Sequence, residues 1–179
     1  GALMKCVLSQ TIFCNVVTHH GGGLEMYLKA DLDANGWPQT GRNKAVDAMR
    51  KAFAVHVAGD QHLPSLLQHG IDEYRDAGWS YSVPAISVGY QRAWWPDRLG
   101  IPPLNRPDHG LPNTGDYMDG LNNLISVNAI GNPKKELCKE TRLCTLQDKS
   151  SGHGIIRFNK EKREITFEAW KLVFDANNP

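Results

Sequence analysis

The sequence predicts a mixed α/β fold of the α+β kind, in a single domain that covers residues 1–179. β-rich segments and one helical segment follow one another in the order strand, loop, helix, strand. Two further β-rich segments flank a charged turn near the end of the chain, which is the pattern of a hairpin. Seventeen glycines and ten prolines are more than a helical bundle uses, so we also expect long ordered loops.

The first β-rich segment covers residues 7–18, with an apolar centre at residues 12–17. We expect a buried strand there, leading into a flexible loop that starts at His19, His20 and three glycines. Residues 31–42 are rich in turn-forming residues and predict an ordered loop.

From Asn43 the spacing of the apolar residues is helical. Val46, Met49 and Phe53 fall on one face and charged residues on the other, which predicts a helix of about three turns. Residues 55–58 then predict a short strand that stops at Gly59.

The second half of the chain predicts strands and one long loop. Short strands are expected between residues 66 and 88, and the proline-rich residues 92–121 predict a long surface loop. Residues 155–158 and 165–170 predict the two strands of the hairpin around the charged turn 159–164. Residues 134–149 predict only a polar connection.

Charge and hydropathy exclude two classes of partner. The formal net charge is +1 and the basic residues form no stripe, so we expect no binding to nucleic acid. No apolar run is long enough to cross a bilayer, so we expect no membrane partner and instead a small substrate. Cys138 and Cys144 are spaced either for a small disulfide loop or for two thiols, and the sequence leaves both open.

The most informative residues for chemistry are Asp60 and His62, which directly follow the strand predicted at residues 55–58. Ligands of α/β sheets collect at the carboxyl ends of strands, and Gly59 allows a sharp bend there. An oxygen and a nitrogen donor together suit zinc, iron or manganese. The alternative is a capped turn that carries a surface histidine.

Two further candidates lie nearer the start of the chain. His19 and His20 could offer one imidazole to a metal or to a leaving group, since neighbouring side chains point in opposite directions. Arg42 could bind an anionic substrate through its planar guanidinium, or it could pair with Asp31 or Asp33 in the preceding loop.

Other polar and aromatic residues carry weaker predictions. Asp116 and Tyr117 could complete a site or simply organise turns, and the Trp94-Trp95 pair could stack on a sugar or a sulfate ester. His56 alternates with apolar residues and predicts a core histidine. Three histidines that precede glycines are expected in turns: His69, His109 and His153.

Three segments together resemble a known family. Ser-Gln-Thr-Ile-Phe at 9–13, Asp-Leu-Asp-Ala-Asn-Gly-Trp-Pro-Gln-Thr-Gly-Arg at 31–42 and Ala-Gly-Asp-Gln-His-Leu at 58–63 are similar, in order and spacing, to the C-terminal portion of PhoD-like (alkaline phosphatase D) metallophosphatases. These belong to the calcineurin-like phosphoesterase superfamily. Residues 9–70 carry most of the resemblance, and residues 111–120 with the hairpin resemble a bacterial subgroup.

The resemblance implies a calcineurin-like β-sandwich flanked by helices, with a terminal hairpin. It also implies a centre of divalent or trivalent metal ions (Zn, Fe, Mn or Ca) that hydrolyses phosphate mono- or diesters with a metal-activated water. Asp60 and His62 fall on a metal-binding motif of the family, and we add His19 as a third ligand. Arg42 falls on the family's turn, and we expect Arg42 and His20 to be catalytic.

The family's earlier metal-binding motifs would precede this segment, so we expect the chain to hold only part of the site. The alternative to an enzyme is a binding or structural module without catalysis, derived from a phosphoesterase. A sheet that lacks its other half exposes an apolar edge, which predicts a homodimer. The resemblance also implies an extracytoplasmic location, either periplasmic or secreted.

Overall fold

The computed structural model describes residues 2–20, 26–87, 90–133 and 149–172. Within them lie ten strands, one α-helix and a short 3₁₀ helix at Pro96–Leu99. In chain order the other elements are β1 (Lys5–Ser9), β2 (His19–His20), α1 (Gln39–Ala52), β3 (Ala54–Ala58), β4 (Ser65–His69), β5 (Trp79–Ser82), β6 (Arg92–Ala93), β7 (Gly115–Met118), β8 (Leu124–Ile130), β9 (Gly152–Asn159) and β10 (Glu164–Lys171).

Six strands form one mixed sheet in the order β1-β3-β5-β4-β8-β7. Strands β1, β3 and β5 are parallel, whereas β4, β8 and β7 pair antiparallel. The prediction of a mixed α/β fold is confirmed at this level, and the finer calcineurin-like arrangement stays a prediction. The main core cluster consists of Ile12, Cys14, Val16, Ala34, Ala58, Leu63, Leu67, Trp94, Tyr117, Ile125 and Val127.

Helix α1 packs its apolar face, with Val46 and Met49, against Val7, Phe13, Ile71 and Ala77. The helix begins four residues earlier than the predicted start at Asn43, because Pro38 takes an extended backbone and its carbonyl accepts bonds from two amides of the first turn. Phe53, predicted on the buried face, instead caps the helix in a left-handed conformation and is exposed.

The strand predicted at residues 7–18 is wrong beyond Ser9. Residues 11–18 are mostly buried but form no strand, because side chains rather than a neighbouring strand satisfy much of their backbone. The Asn15 amide donates to Asp119 at 2.7 Å, and the Asn15 side chain binds the Val17 carbonyl and the Asp31 amide.

The terminal hairpin is confirmed: β9 and β10 pair antiparallel. It lies against the six-stranded sheet through Tyr81, whose ring meets Phe167 at a centroid distance of 5.2 Å. The Tyr81 hydroxyl donates to the Glu168 carbonyl at 2.7 Å.

The predicted loop at residues 92–121 is wrong in part, because it contains β6, the 3₁₀ helix and the sheet strand β7. Trp94 and Trp95 are both buried, so they form no surface platform for a sugar or a sulfate ester.

Strand β8 was not predicted. Cys138, Cys144 and the polar connection up to residue 148 lie outside the described residues. None of the described helices is long and apolar enough to cross a membrane.

Candidate histidine and carboxylate site

The candidate site starts in the turn that follows β3. Asp60 and His62 both have left-handed backbones, with φ of 57° and 54°, on either side of the buried Gln61. Such conformations are uncommon outside glycine and concentrate at functional sites. They bring the two side chains together, with His62 Nε2 and Asp60 Oδ1 separated by 4.0 Å.

Tyr90 joins two of the candidate histidines. Its carbonyl accepts a bond from His62 Nδ1 at 2.7 Å, and its hydroxyl lies 2.7 Å from His20 Nδ1. Because a carbonyl only accepts, His62 carries its proton on Nδ1 when neutral, which leaves the lone pair on Nε2. Burial, and then the positive charge of Arg92, lower the pKa of His62, so the ring is neutral near pH 7.

Strand pairing sets the position of His20. Strand β2 pairs with β6, and His20 stands opposite Arg92 in that register. His20 Nε2 is 3.8 Å from Asp31 Oδ2. This buried nitrogen has no hydrogen-bond partner among the described residues.

Arg92 is the centre of the cluster, and its side chain is almost fully buried. Its Nε lies 2.7 Å from Asp31 Oδ2, and its Nη2 donates to Asp33 Oδ2 at 2.9 Å. Its Nη1 donates to the Asp60 carbonyl at 2.8 Å, so one guanidinium ties the loop at residues 31–33 to the turn after β3. Three carboxylates against one guanidinium leave the cluster with a net negative charge.

His19 has different surroundings from its neighbour. Its buried ring lies 2.9 Å from the Thr18 hydroxyl through Nδ1 and packs against Trp95 and Tyr27, with centroids 5.1 and 5.9 Å away. Of the two histidines, His20 is the one that contacts Asp31 and Tyr90. His19, predicted as a metal ligand, packs in the interior.

Arg42, predicted to be catalytic, lies in the first turn of helix α1 and is buried. Its guanidinium donates to the carbonyls of Phe13 at 3.0 Å and Gly70 at 2.6 Å, and lies 3.3 Å from His69 Nδ1. Burial lowers the pKa of Arg42. These contacts give Arg42 a packing role. The ion pairs with Asp31 and Asp33, which were the alternative prediction for Arg42, are made by Arg92 instead.

The other candidate acid is also engaged elsewhere. Asp116 is buried, accepts from Arg75 Nε at 3.1 Å and from Asn105 Nδ2 at 3.0 Å, and so fastens two loops. The Tyr117 hydroxyl donates to the Thr114 carbonyl at 3.1 Å. Of the two predictions for Asp116 and Tyr117, these contacts match the one in which both residues organise turns.

The donor atoms fit a metal ion only in pairs. Two ligands of one tetrahedral ion, each about 2.1 Å from it, lie about 3.4 Å apart. The pairs His20–Asp31 and His62–Asp60, at 3.8 and 4.0 Å, are slightly wider than this. However, no three of the described His, Cys, Asp or Glu side chains converge to hold an ion, so Asp60, His62 and His19 do not form a ligand set.

Comparisons with known proteins add no relative: no protein-family model, no curated protein and no solved structure matches the chain. The likeness to PhoD-like metallophosphatases therefore rests on the sequence segments alone and stays a prediction.

Proposed function

We propose that this chain contributes to a metal-dependent hydrolase of phosphate mono- or diesters, and that the cluster around His62, Asp60 and His20 is its share of the site. The observation that carries the proposal is that His20 meets the predicted Asp60 and His62 pair: Tyr90 contacts both histidines, and Arg92 contacts the Asp60 carbonyl. They come from segments about 40 residues apart in the sequence.

The chemistry of the donors supports a cation. The cluster combines imidazole nitrogens with carboxylate oxygens, a set that suits zinc, iron or manganese, and its net charge is negative. The Tyr90 carbonyl leaves His62 Nε2 as a bare lone pair, which is how histidine ligands are held in metal sites.

The chain's own residues define the limits of the proposal. Since they come together only in pairs, further ligands would have to come from outside the described residues. His20 keeps its proposed catalytic role because its Nε2 lies beside Asp31. Arg92, rather than Arg42, is the guanidinium of the cluster.

A binding module without catalysis is the second candidate. The observation in its favour is that Arg92 is already paired with Asp31 and Asp33 and buried between them. A guanidinium held in this way competes with a metal ion for the same carboxylates.

The test combines metal content with turnover. Purified protein, Asp60→Asn and His62→Ala would be analysed for bound metals and assayed with p-nitrophenyl phosphate and bis-p-nitrophenyl phosphate. Asp108→Asn and His109→Ala are matched controls, because both residues are exposed and lie outside the cluster.

We expect bound metal and turnover in the unchanged protein and in both controls, and the loss of both in the two cluster variants. Metal without turnover in the unchanged protein would favour the binding module. The absence of metal from every sample, after dialysis against zinc, iron or manganese, would contradict the proposed function.

A further inference from the structure

A cavity of about 370 Å³ lies between the terminal hairpin and the six-stranded sheet. Its lining comes from β4, β5 and β8 on one side and from β10 on the other, and it includes Leu66, Tyr81, Ile130 and Phe167. No residue of the histidine and carboxylate site lines it. The volume lies within the range of small-molecule pockets.

Contacts between the hairpin and the sheet lie beside the cavity. Tyr81 of β5 contacts Phe167 of β10 and donates to the Glu168 carbonyl, so the hairpin is fixed to the sheet beside the cavity. Alternate residues of β10 face the same way, which places Phe167, Ala169 and Lys171 along the cavity in that order. The lining thus changes from aromatic to cationic along one strand.

The charge of the lining points to an anionic ligand. The charged residues among the described lining are two lysines, Lys149 and Lys171, with no aspartate or glutamate among them. Ammonium groups attract and hydrogen-bond a carboxylate.

We infer that this cavity binds a small amphipathic anion, such as a medium-chain carboxylate. Its apolar body lies among Leu66, Tyr81 and Phe167, and its carboxylate lies toward Lys171. The inference goes beyond the proposed function and does not depend on it, because the two sites share no residue.

The probe is decanoate, titrated into the full chain by isothermal titration calorimetry below micelle-forming concentrations. Decyltrimethylammonium has the same alkyl chain with the opposite charge. Ala169→Trp fills the cavity from a position on its lining, and Ala48→Trp, on the exposed face of α1, is its control. Lys171→Glu reverses the charge at the cavity, and Lys160→Glu does so on the same hairpin but outside it.

We expect saturable binding of one decanoate per chain and much weaker binding of the cationic probe. Ala169→Trp should weaken decanoate binding by about tenfold or more, and Lys171→Glu should weaken it several-fold, with both controls unchanged. The inference is overturned if decanoate gives no saturable heat, if the cation binds equally well, or if both cavity variants behave like their controls.

Discussion

His56 is a buried titratable residue outside the candidate site. Its ring has no exposed surface, and its two nitrogens lie 2.6 Å from Ser9 Oγ and 2.8 Å from Ser80 Oγ. Burial lowers the pKa of His56 to about 4. The prediction of a core histidine is confirmed. The prediction of a turn at His69 is wrong, because His69 is the last residue of strand β4. His69 is also buried, and burial followed by the charge of Arg42 lowers its pKa as well.

Because the pKa of His56 is lower in the folded than in the unfolded chain, acid favours unfolding. The contribution of neutral His56 is complete above about pH 6.5 and is lost as the pH falls toward 4, by about 3 kcal/mol in full and about 2 kcal/mol at pH 5. His69 acts in the same direction. Urea unfolding at pH 7 and pH 5 measures the loss.

The matched variants are His56→Gln and His153→Gln, the latter at an exposed position. The first should lose less stability than the unchanged protein between pH 7 and pH 5, whatever its stability at pH 7. The second should lose as much as the unchanged protein. Equal losses in all three proteins would show that the unfolding free energy does not depend on protonation of His56.

Asp60 and His62 could be selected from the sequence because both follow a predicted strand that ends in glycine. Tyr90 and Arg92 could not, since their roles arise from the pairing of β2 with β6, two residues long, which leaves no periodic signal. Arg42 matched the expected chemistry equally well but lies in the interior. A residue type therefore indicates a possible role, and the pairing of strands that are distant in sequence determines which residue reaches the site.

At the scale of elements, local patterns predicted α1, β3 and the hairpin, because each buries one face against a neighbour. Strand β8 was missed, since its pairing with β4 shifts register between Leu66 and Leu67 and its buried residues do not alternate simply. The buried segment after β1 was misread as strand because apolar character alone does not specify backbone pairing.

The hairpin depends on a glycine at its base. Gly152 has φ of 149°, and a Cβ atom there would collide with the Trp170 carbonyl oxygen of the opposite strand. We expect Gly152→Ala to lower the free energy of unfolding by about 2 kcal/mol or more, from backbone strain and the collision together. Urea denaturation measures the change.

Gly110→Ala is the matched control, because Gly110 also has a positive φ of 66° but its added Cβ would have no atom within 4 Å. Gly110→Ala should lower the free energy of unfolding by only about 1 kcal/mol, from backbone strain alone. If Gly152→Ala costs no more than Gly110→Ala, the close approach of the two hairpin strands does not contribute to stability.

At the scale of the molecule, the two edges of the six-stranded sheet differ. Strand β7 is covered at Asp116, where the amide and carbonyl exchange hydrogen bonds with Leu104. Strand β1 is the other edge, and Leu8 on it is 77% exposed. An edge strand with exposed apolar side chains pairs readily with another chain.

We therefore expect the chain to form a homodimer by pairing β1 with its copy around a twofold axis. Light scattering after size-exclusion chromatography, in reducing buffer because Cys6 is an exposed thiol, should give the dimer mass at micromolar concentration. Leu8→Lys should shift the mass to the monomer, since a lysine on an edge strand opposes pairing. Leu32→Lys, at an exposed leucine away from β1, should remain dimeric. A monomer mass for the unchanged protein, or a dimer mass for Leu8→Lys, would show that β1 is not the contact between copies.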